Sequence, residues 1–255
     1  MSLHFGITGG SRPWLGALSL SLERLGYEGA WANDIPGHRG VPAATSLARG
    51  ESGLTLGIGV ISVADQSPAS IAAEIHRSGV APQRLILGVG SGGSRSLALV
   101  RDSVAVLREE LPGVRLAIAA LGPRMCELAG ETADVVLLNW ATPARIAWAR
   151  ERVVAGAARA ERPVPLVAAY VRVAVGPGAA ERLDAERRRY AAFGAYRRQF
   201  QAQDEIPGIA APPAADVRAA LMPYLEALDI CVVRALPESD SLRSLFAVAE
   251  AARPN

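Results

Sequence analysis

The stretch from Ile118 to Trp140, IAALGPRMCELAGETADVVLLNW, constrains the fold more than any other part of the chain. The apolar run Val114 to Leu121 has the length of a strand buried on both faces, and Gly122-Pro123 ends it where a helix can start with proline near its first position. Met125, Leu128, Ala129 and Thr132 then recur at helical spacing before Asp134-Val135-Val136-Leu137-Leu138 resumes as a strand. Strand, tight turn, helix and strand in that order join parallel strands. The backbone N–H groups just after Gly122 have no intrahelical acceptor and fall at the C-terminal end of a parallel sheet, where anions and phosphates are held.

Further apolar runs bounded by glycine or a turn lie near 3–8, 28–33, 54–62, 84–90, 114–121, 134–140, 165–175 and 228–234, which makes eight strand candidates. Between them are helical patterns such as Leu97, Val100, Val104, Leu107 and Leu111, whose spacing turns one apolar stripe toward a sheet. Eight alternations in 255 residues, half of them hydrophobic, predict an α/β fold of the (β/α)8 TIM barrel kind, one domain over residues 1–255. A doubly wound sheet has the same alternation and is the alternative. The connection from Gly176 to Ala227 is too long for a plain loop; it holds a polar helix through Arg187-Arg188-Arg189 and a Pro- and Gly-rich break from Ile206 to Pro213.

Absences narrow the chemistry. The chain has no lysine, which excludes a Schiff-base aldolase and a Walker-type phosphate lysine. The three histidines, His4, His38 and His76, show no HxH or HExxH spacing, so no metal site is expected. The cysteines, Cys126 and Cys231, sit in a chain without a signal-peptide pattern or a membrane-length apolar run, so a reduced cytoplasmic setting and no membrane contact are expected. A formal net charge of +2, with arginines dispersed among acids, argues against nucleic acid and leaves a small molecule as the partner. Arginine keeps one strong use, bidentate capture of phosphate or carboxylate.

The run Ala119-Ala120-Leu121-Gly122-Pro123 with Ala133-Asp134 resembles the luciferase-like flavin and deazaflavin oxidoreductases, most closely those that use coenzyme F420. Leu25-Gly26-Tyr27-Glu28-Gly29-Ala30-Trp31 leading to Asp34, Leu56-Gly57-Ile58-Gly59-Val60, and Arg84 through Gly92 match the same family in order and spacing. The resemblance implies a barrel with a helical insertion after the seventh strand, where Tyr190, Tyr196 and Phe200 fit its pattern. Against that family the connection between the fourth and fifth strands is short, one helix filling Ser94 to Val114. The implied function is hydride transfer between F420 and a small organic substrate, with the cofactor carrying the redox chemistry. An FMN-dependent luciferase-like monooxygenase is the second reading, and a non-catalytic ligand-binding relative on the same barrel the third. Relatives are often homodimers.

The resemblance also implies site residues. Gly59-Val60 aligns with a third-strand bulge whose non-prolyl cis peptide faces the deazaflavin ring; without the resemblance Leu56 to Ser62 reads as an ordinary buried strand. Gly90, Ser91 and Gly92 lie at a strand end where missing side chains let a ring or phosphate approach the backbone. Ala120, Gly122, Pro123 and Arg124 would receive the phosphate tail, with Asn139 and Trp140 at the end of the sixth strand. The resemblance places Ile35 and Gly93 where relatives carry a histidine and a glutamate, so proton transfer is expected to rest on Asp34, His38, a water or the substrate itself. The bland reading of Asp34 is a helix cap or a turn before Pro36, and that of His38 a surface position. Arg12, Trp14 and Arg39, in early loops, are candidate substrate contacts.

Overall fold

A strand whose side chains are apolar on both faces must be covered on both, and a parallel sheet achieves this by closing on itself inside a ring of helices. The computed structural model, which describes residues 1–212 and 215–254, has this form. The strands are β1 (Ser2–Thr8), β2 (Gly29–Asn33), β3 (Thr55–Ser62), β4 (Leu85–Gly90), β5 (Arg115–Ala119), β6 (Val135–Asn139), β7 (Leu166–Val175), β8 (Ile209–Ala211) and β9 (Ile230–Ala235). All pairings are parallel, and β1 to β7 with β9 close into an eight-stranded barrel through the β9–β1 and β6–β7 contacts. The strand candidates near 3–8, 28–33, 54–62, 84–90, 114–121, 134–140, 165–175 and 228–234 are those eight barrel strands.

The helices are α1 (Leu15–Arg24), α2 (Gly40–Ala48), α3 (Pro68–Ser78), α4 (Leu97–Glu110), α5 (Pro123–Thr132), α6 (Pro143–Arg159), α7 (Ala179–Ala191), α8 (Gly194–Gln201), α9 (Val217–Ala227) and α10 (Leu242–Ala251). Among the described residues the N-cap side chains of five of them, Ser67, Ser96, Thr142, Asp216 and Ser241, each accept a hydrogen bond from an amide of the first turn of α3, α4, α6, α9 and α10. The stripe Val100, Val104 and Leu107 of α4 is buried against the barrel wall, and α4 alone with a short 3-10 turn spans the gap between β4 and β5. None of the helices, among the described residues, is long and apolar enough to cross a membrane.

One strand was not expected. β8 is three residues long and pairs only with the end of β7 that overhangs the barrel, from Val173 to Val175. It lies inside the stretch read as a Pro- and Gly-rich break, of which Pro213 falls outside the described residues. Three residues, Ile209-Ala210-Ala211, carry too little periodicity to announce a strand; what makes them one is the ten-residue length of β7.

The barrel interior is filled by Trp31, Ile86, Ala117, Val135, Leu137, Ala168, Tyr170, Ile230 and Val232. Trp31 is fully buried and fits because Gly57 on β3 has no Cβ to overlap the indole. Below it, toward the N-terminal end, Trp31 Nε1 donates to His4 Nδ1 at 2.8 Å, and burial with the Arg115 charge pulls His4 down to about 4.

Candidate active site

The C-terminal mouth of the barrel has two unlike sides. On the first, β3 gains one residue between Ile58 and Ile61 relative to β4, a bulge that turns Val60 toward the interior. The Gly59-Val60 peptide bond is cis, as the family resemblance implied. Gly88 sits opposite the bulge, and a Cβ there would come within 2.8 Å of Val60 Cγ1; a Cβ at Gly90 would lie 3.2 Å from Val60 Cγ2 and 3.5 Å from Ala119. Three neighbouring strands therefore bring glycine, valine and alanine together in a wall of small residues, the missing Cβ atoms of Gly88 and Gly90 leaving the room that Val60 occupies. Two buried polar atoms on this rim, Asn33 Oδ1 and Ser62 Oγ, have no hydrogen-bond partner among the described residues.

The wall leads to the start of α5. Ala120 is buried and its N–H donates to Leu137 O at 3.1 Å, which fixes the turn to β6. Gly122 occupies the N-cap position without a side chain to cap the helix, Pro123 brings no N–H, and Arg124 is exposed. The first free amides of the helix thus point outward with no capping oxygen, and the space where a Gly122 Cβ would stand is empty to 4 Å. Ser91, Gly92 and Gly93 follow β4 at the same level, Gly92 pressed against the Ser62 hydroxyl at a φ of 54° and Gly93 open.

The second side is cationic and roofed. Arg172 on β7 and Arg234 on β9 are register partners that share the interior face with Tyr170 and Val232, and both are buried. Gly6 on β1 makes room for the Arg234 stem. Arg172 donates to Asn139 Oδ1, while Asn139 Nδ2 donates to the Tyr196 hydroxyl at 2.7 Å. Burial, with Tyr190 beside it, pushes Tyr196 up to about 12, so the phenol stays neutral. Trp140 leaves β6 in the left-handed region (φ 53°), and its ring packs edge-on against Tyr190 and Phe200 with the Arg172 guanidinium 4.2 Å from its centroid. Gln199 and Gln203 both donate to Trp140 O, tying α8 down. Asn139 and Trp140 therefore hold the α7–α8 roof, both ends of the amide being engaged within the protein.

On the β2 rim, Asp34 Oδ2 accepts from Gly40 N at 2.7 Å and from Arg39 Nε at 3.1 Å, and Arg39 continues to Gln66 and Glu74. The carboxylate caps α2, while Oδ1 has no hydrogen bond among the described residues. His38 is exposed and bridges backbone to backbone with Ile35. Arg12 pairs with Asp240 at 2.8 Å and donates to the carbonyls of Thr8, Gly9 and Gly10, so it fastens the first loop to the last; Trp14 packs under it at 5.6 Å. Both cysteines are buried, and burial pushes Cys126 up to about 11 and Cys231 up to about 12, which leaves no reactive thiolate.

The structure thus brings Gly59, Val60, Gly90, Ser91, Gly92, Ala120, Gly122, Pro123 and Arg124 to one side of one mouth. The sequence reading missed Tyr170, Arg172 and Arg234. Their signal was present: one arginine inside each of the apolar runs Tyr-Val-Arg-Val-Ala-Val and Ile-Cys-Val-Val-Arg-Ala, a placement a buried strand tolerates only with a task for the charge. A cavity of about 400 Å³ lies elsewhere, between α1 and α2, lined by Arg12, Ala17, Ser46 and Arg49.

Residues 96–228 match the family described as luciferase-like monooxygenase. A 5,10-methylenetetrahydromethanopterin reductase of Methanolobus tindarius is 28% identical over 176 residues, 55% of this chain and 54% of that protein. The chain spans about half the length of the curated relatives it matches. Among solved structures, an F420-dependent secondary alcohol dehydrogenase in complex with an F420-acetone adduct superposes with a TM-score of 0.74 at 14% identity, over 99% of each chain. The coenzyme F420 dependent tetrahydromethanopterin reductase from Methanopyrus kandleri gives 0.74 at 18% identity, over 98% of this chain and 96% of its own. Likeness at these identities establishes the shared barrel.

Proposed function

Because the chain belongs to the luciferase-like monooxygenase family, we propose that it is an oxidoreductase that transfers a hydride between deazaflavin coenzyme F420 and a small organic substrate. The observation that carries this reading is the small-residue wall of β3 to β5 running into the uncapped start of α5. A flat tricyclic ring needs a surface with small side chains, and Val60, Gly90 and Ala119 offer one; Gly59 and Gly88 let β3 pack closely there, since a Cβ at either would strike the Tyr170 hydroxyl or Ile58 O. An anionic tail needs free donors, and the amides after Gly122 supply them beside open space, a Cβ at Gly122 meeting no protein atom within 4 Å. When bound, F420 supplies the hydride chemistry.

The chain's own residues then bind, orient and exclude water. Val60, Gly90, Ser91 and Gly92 face the ring side of the mouth; Ala120 sets the turn, and Gly122, Pro123 and Arg124 form the tail end. Asp34 directly follows β2, the neighbour of β3, and we assign proton handling to its Oδ1, with His38 as the exposed alternate. Trp140, Tyr190 and Phe200 close the opposite side to solvent. Neither thiol takes part. A cytoplasmic setting fits the two unpaired cysteines, and a homodimer is the assembly to look for by sedimentation.

FMN has a similar tricyclic ring and a phosphate tail, so the same wall and helix start serve the monooxygenase reading. Titrating the purified protein with F420 and with FMN, following ring fluorescence, separates the two. The proposal predicts saturable F420 binding and F420-linked turnover of an imine, enone or ketone without dioxygen. Saturable binding of FMN alone with oxygen-dependent turnover contradicts it, and binding of cofactor with no turnover across such a panel points to the non-catalytic relative.

A further inference from the structure

Arg172 and Arg234 stand side by side on β7 and β9, 1% and 4% exposed, and neither has a carboxylate within 4.0 Å among the described residues. Buried arginines are ordinarily paired with an acid, and two adjacent guanidiniums repel each other in a site with little water. The acid that acts on Arg234 from α7, Glu186, pairs with Arg189 at 3.0 Å instead. Burial, reinforced by the Arg172 charge, pulls Arg234 below the usual guanidinium range, the mark of a cation missing a counter-charge. What the two do bond is neutral: Arg172 Nη1 to Asn139 Oδ1, and Arg234 to Thr8 Oγ1 and Ala235 O.

The atoms left over are informative. Arg172 Nε and Nη2, and Arg234 Nε, are buried without a hydrogen-bond partner among the described residues. Nε and Nη2 form one edge of a guanidinium, the edge whose two parallel N–H bonds match the two oxygens of a carboxylate or phosphate. Trp140 and Tyr190 cover the faces of Arg172, with centroids at 4.2 and 4.9 Å, so the plane is held and only the edge is unsatisfied. Leaving such donors unmet costs stability unless a ligand completes them.

We propose that Arg172 and Arg234 form an oxyanion subsite for the molecule that exchanges hydride with the cofactor, so that the substrate carries a carboxylate or phosphate group. The identification of that molecule as the substrate rests on the function proposed above; the subsite itself does not. The anion lies on the side of the mouth opposite the glycine wall, and its capture orients the reacting carbon toward the ring.

The test uses benzoate, uncharged benzamide and inorganic phosphate as probes, titrated calorimetrically into the cofactor-free protein and into R172Q and R234Q. The wild type should bind benzoate about 100-fold more tightly than benzamide, phosphate should displace benzoate, and either variant should lose about 100-fold in benzoate affinity while melting as a folded protein. Equal benzoate affinity in all three proteins, or no binding of either anion to the wild type, overturns the proposal. Should a glutamine variant fail to fold, the benzoate-to-benzamide ratio on the wild type decides alone. Repeating the titration with saturating F420 assigns the owner of the anion: retained benzoate binding supports the substrate, whereas competition gives the arginines to the cofactor tail and overturns the substrate assignment. Arginine-dependent benzoate binding by a protein that does not bind F420 would leave the subsite standing and remove the proposed function.

Discussion

On the β3–β5 side of the mouth the chain withholds side chains: Gly88 and Gly90 face a bulged β3, and Gly122 opens onto empty space at the start of α5. On the β6–β9 side it concentrates them, with two buried arginines, one asparagine and four aromatic rings locked under α7 and α8. The same barrel geometry supports both, because alternate strands supply the inward residues of each layer and different residue types can stand at those positions. The first side costs little to maintain and is shaped for something large and flat. The second would be unstable in isolation, since its charges lack partners, and it holds because hydrogen bonds and ring faces fix what they can. Binding and polarity are thus divided between two half-rings, and each half can be disturbed separately.

The largest effect is expected at Asp34, which follows β2, the neighbour of β3. Asp34→Asn keeps the acceptor for Gly40 N but removes the ionisable group, and turnover should fall by about 10² to 10⁴ with F420 affinity unchanged. Steady-state kinetics check this, and wild-type turnover would return Asp34 to its role as the cap of α2. On the other side, Asn139→Leu deprives both Arg172 and Tyr196 of a partner. It should cost about 3 kcal/mol. That corresponds to a melting temperature lower by about 6–12 °C, and an unchanged value would mean that the roof does not rest on this network.

His4 belongs to neither half and provides the control. Its ordinary value of 6.5 is lowered to about 4 in the folded protein, so the unfolded chain takes up a proton first as pH falls. Stability is complete above pH 6.5 and declines toward pH 4, by about 3 kcal/mol. Urea unfolding across that range should show the decline, and His4→Asn should flatten it without altering cofactor affinity. The smallest effect is the most selective: Gly122→Ala should weaken F420 binding by about tenfold while leaving the melting temperature unchanged, because a Cβ there meets no protein atom within 4 Å. A drop in stability without a change in affinity would make Gly122 a turn residue only.

The two halves also differ in how far they can be read from sequence. Gly90 and Gly122 stand out as glycines where a strand gives way to a turn, whereas Gly59, inside β3, was singled out only by the family resemblance. The eight barrel strands were legible for a related reason: each is an apolar run closed by a turn signal. β8 was not, because its three residues are a strand only through the overhang of β7. The arginine half stayed hidden because its meaning depends on direction. Arg172 two residues after Tyr170 shares its face, but which face is inside is set by closure of the whole barrel. Asn139 was singled out as a contact for the cofactor phosphate, whereas its partners in the structure, Arg172 and Tyr196, are 33 and 57 residues away and could not be read from the sequence.

Whether the small-residue wall is the ring site is decided by a crystal structure of the protein soaked with F420. The deazaflavin ring should lie against Val60 and Gly90, with its tail at the amides after Gly122. A ring bound instead in the cavity between α1 and α2, or stacked on Trp140 beneath a displaced α8, would contradict this placement.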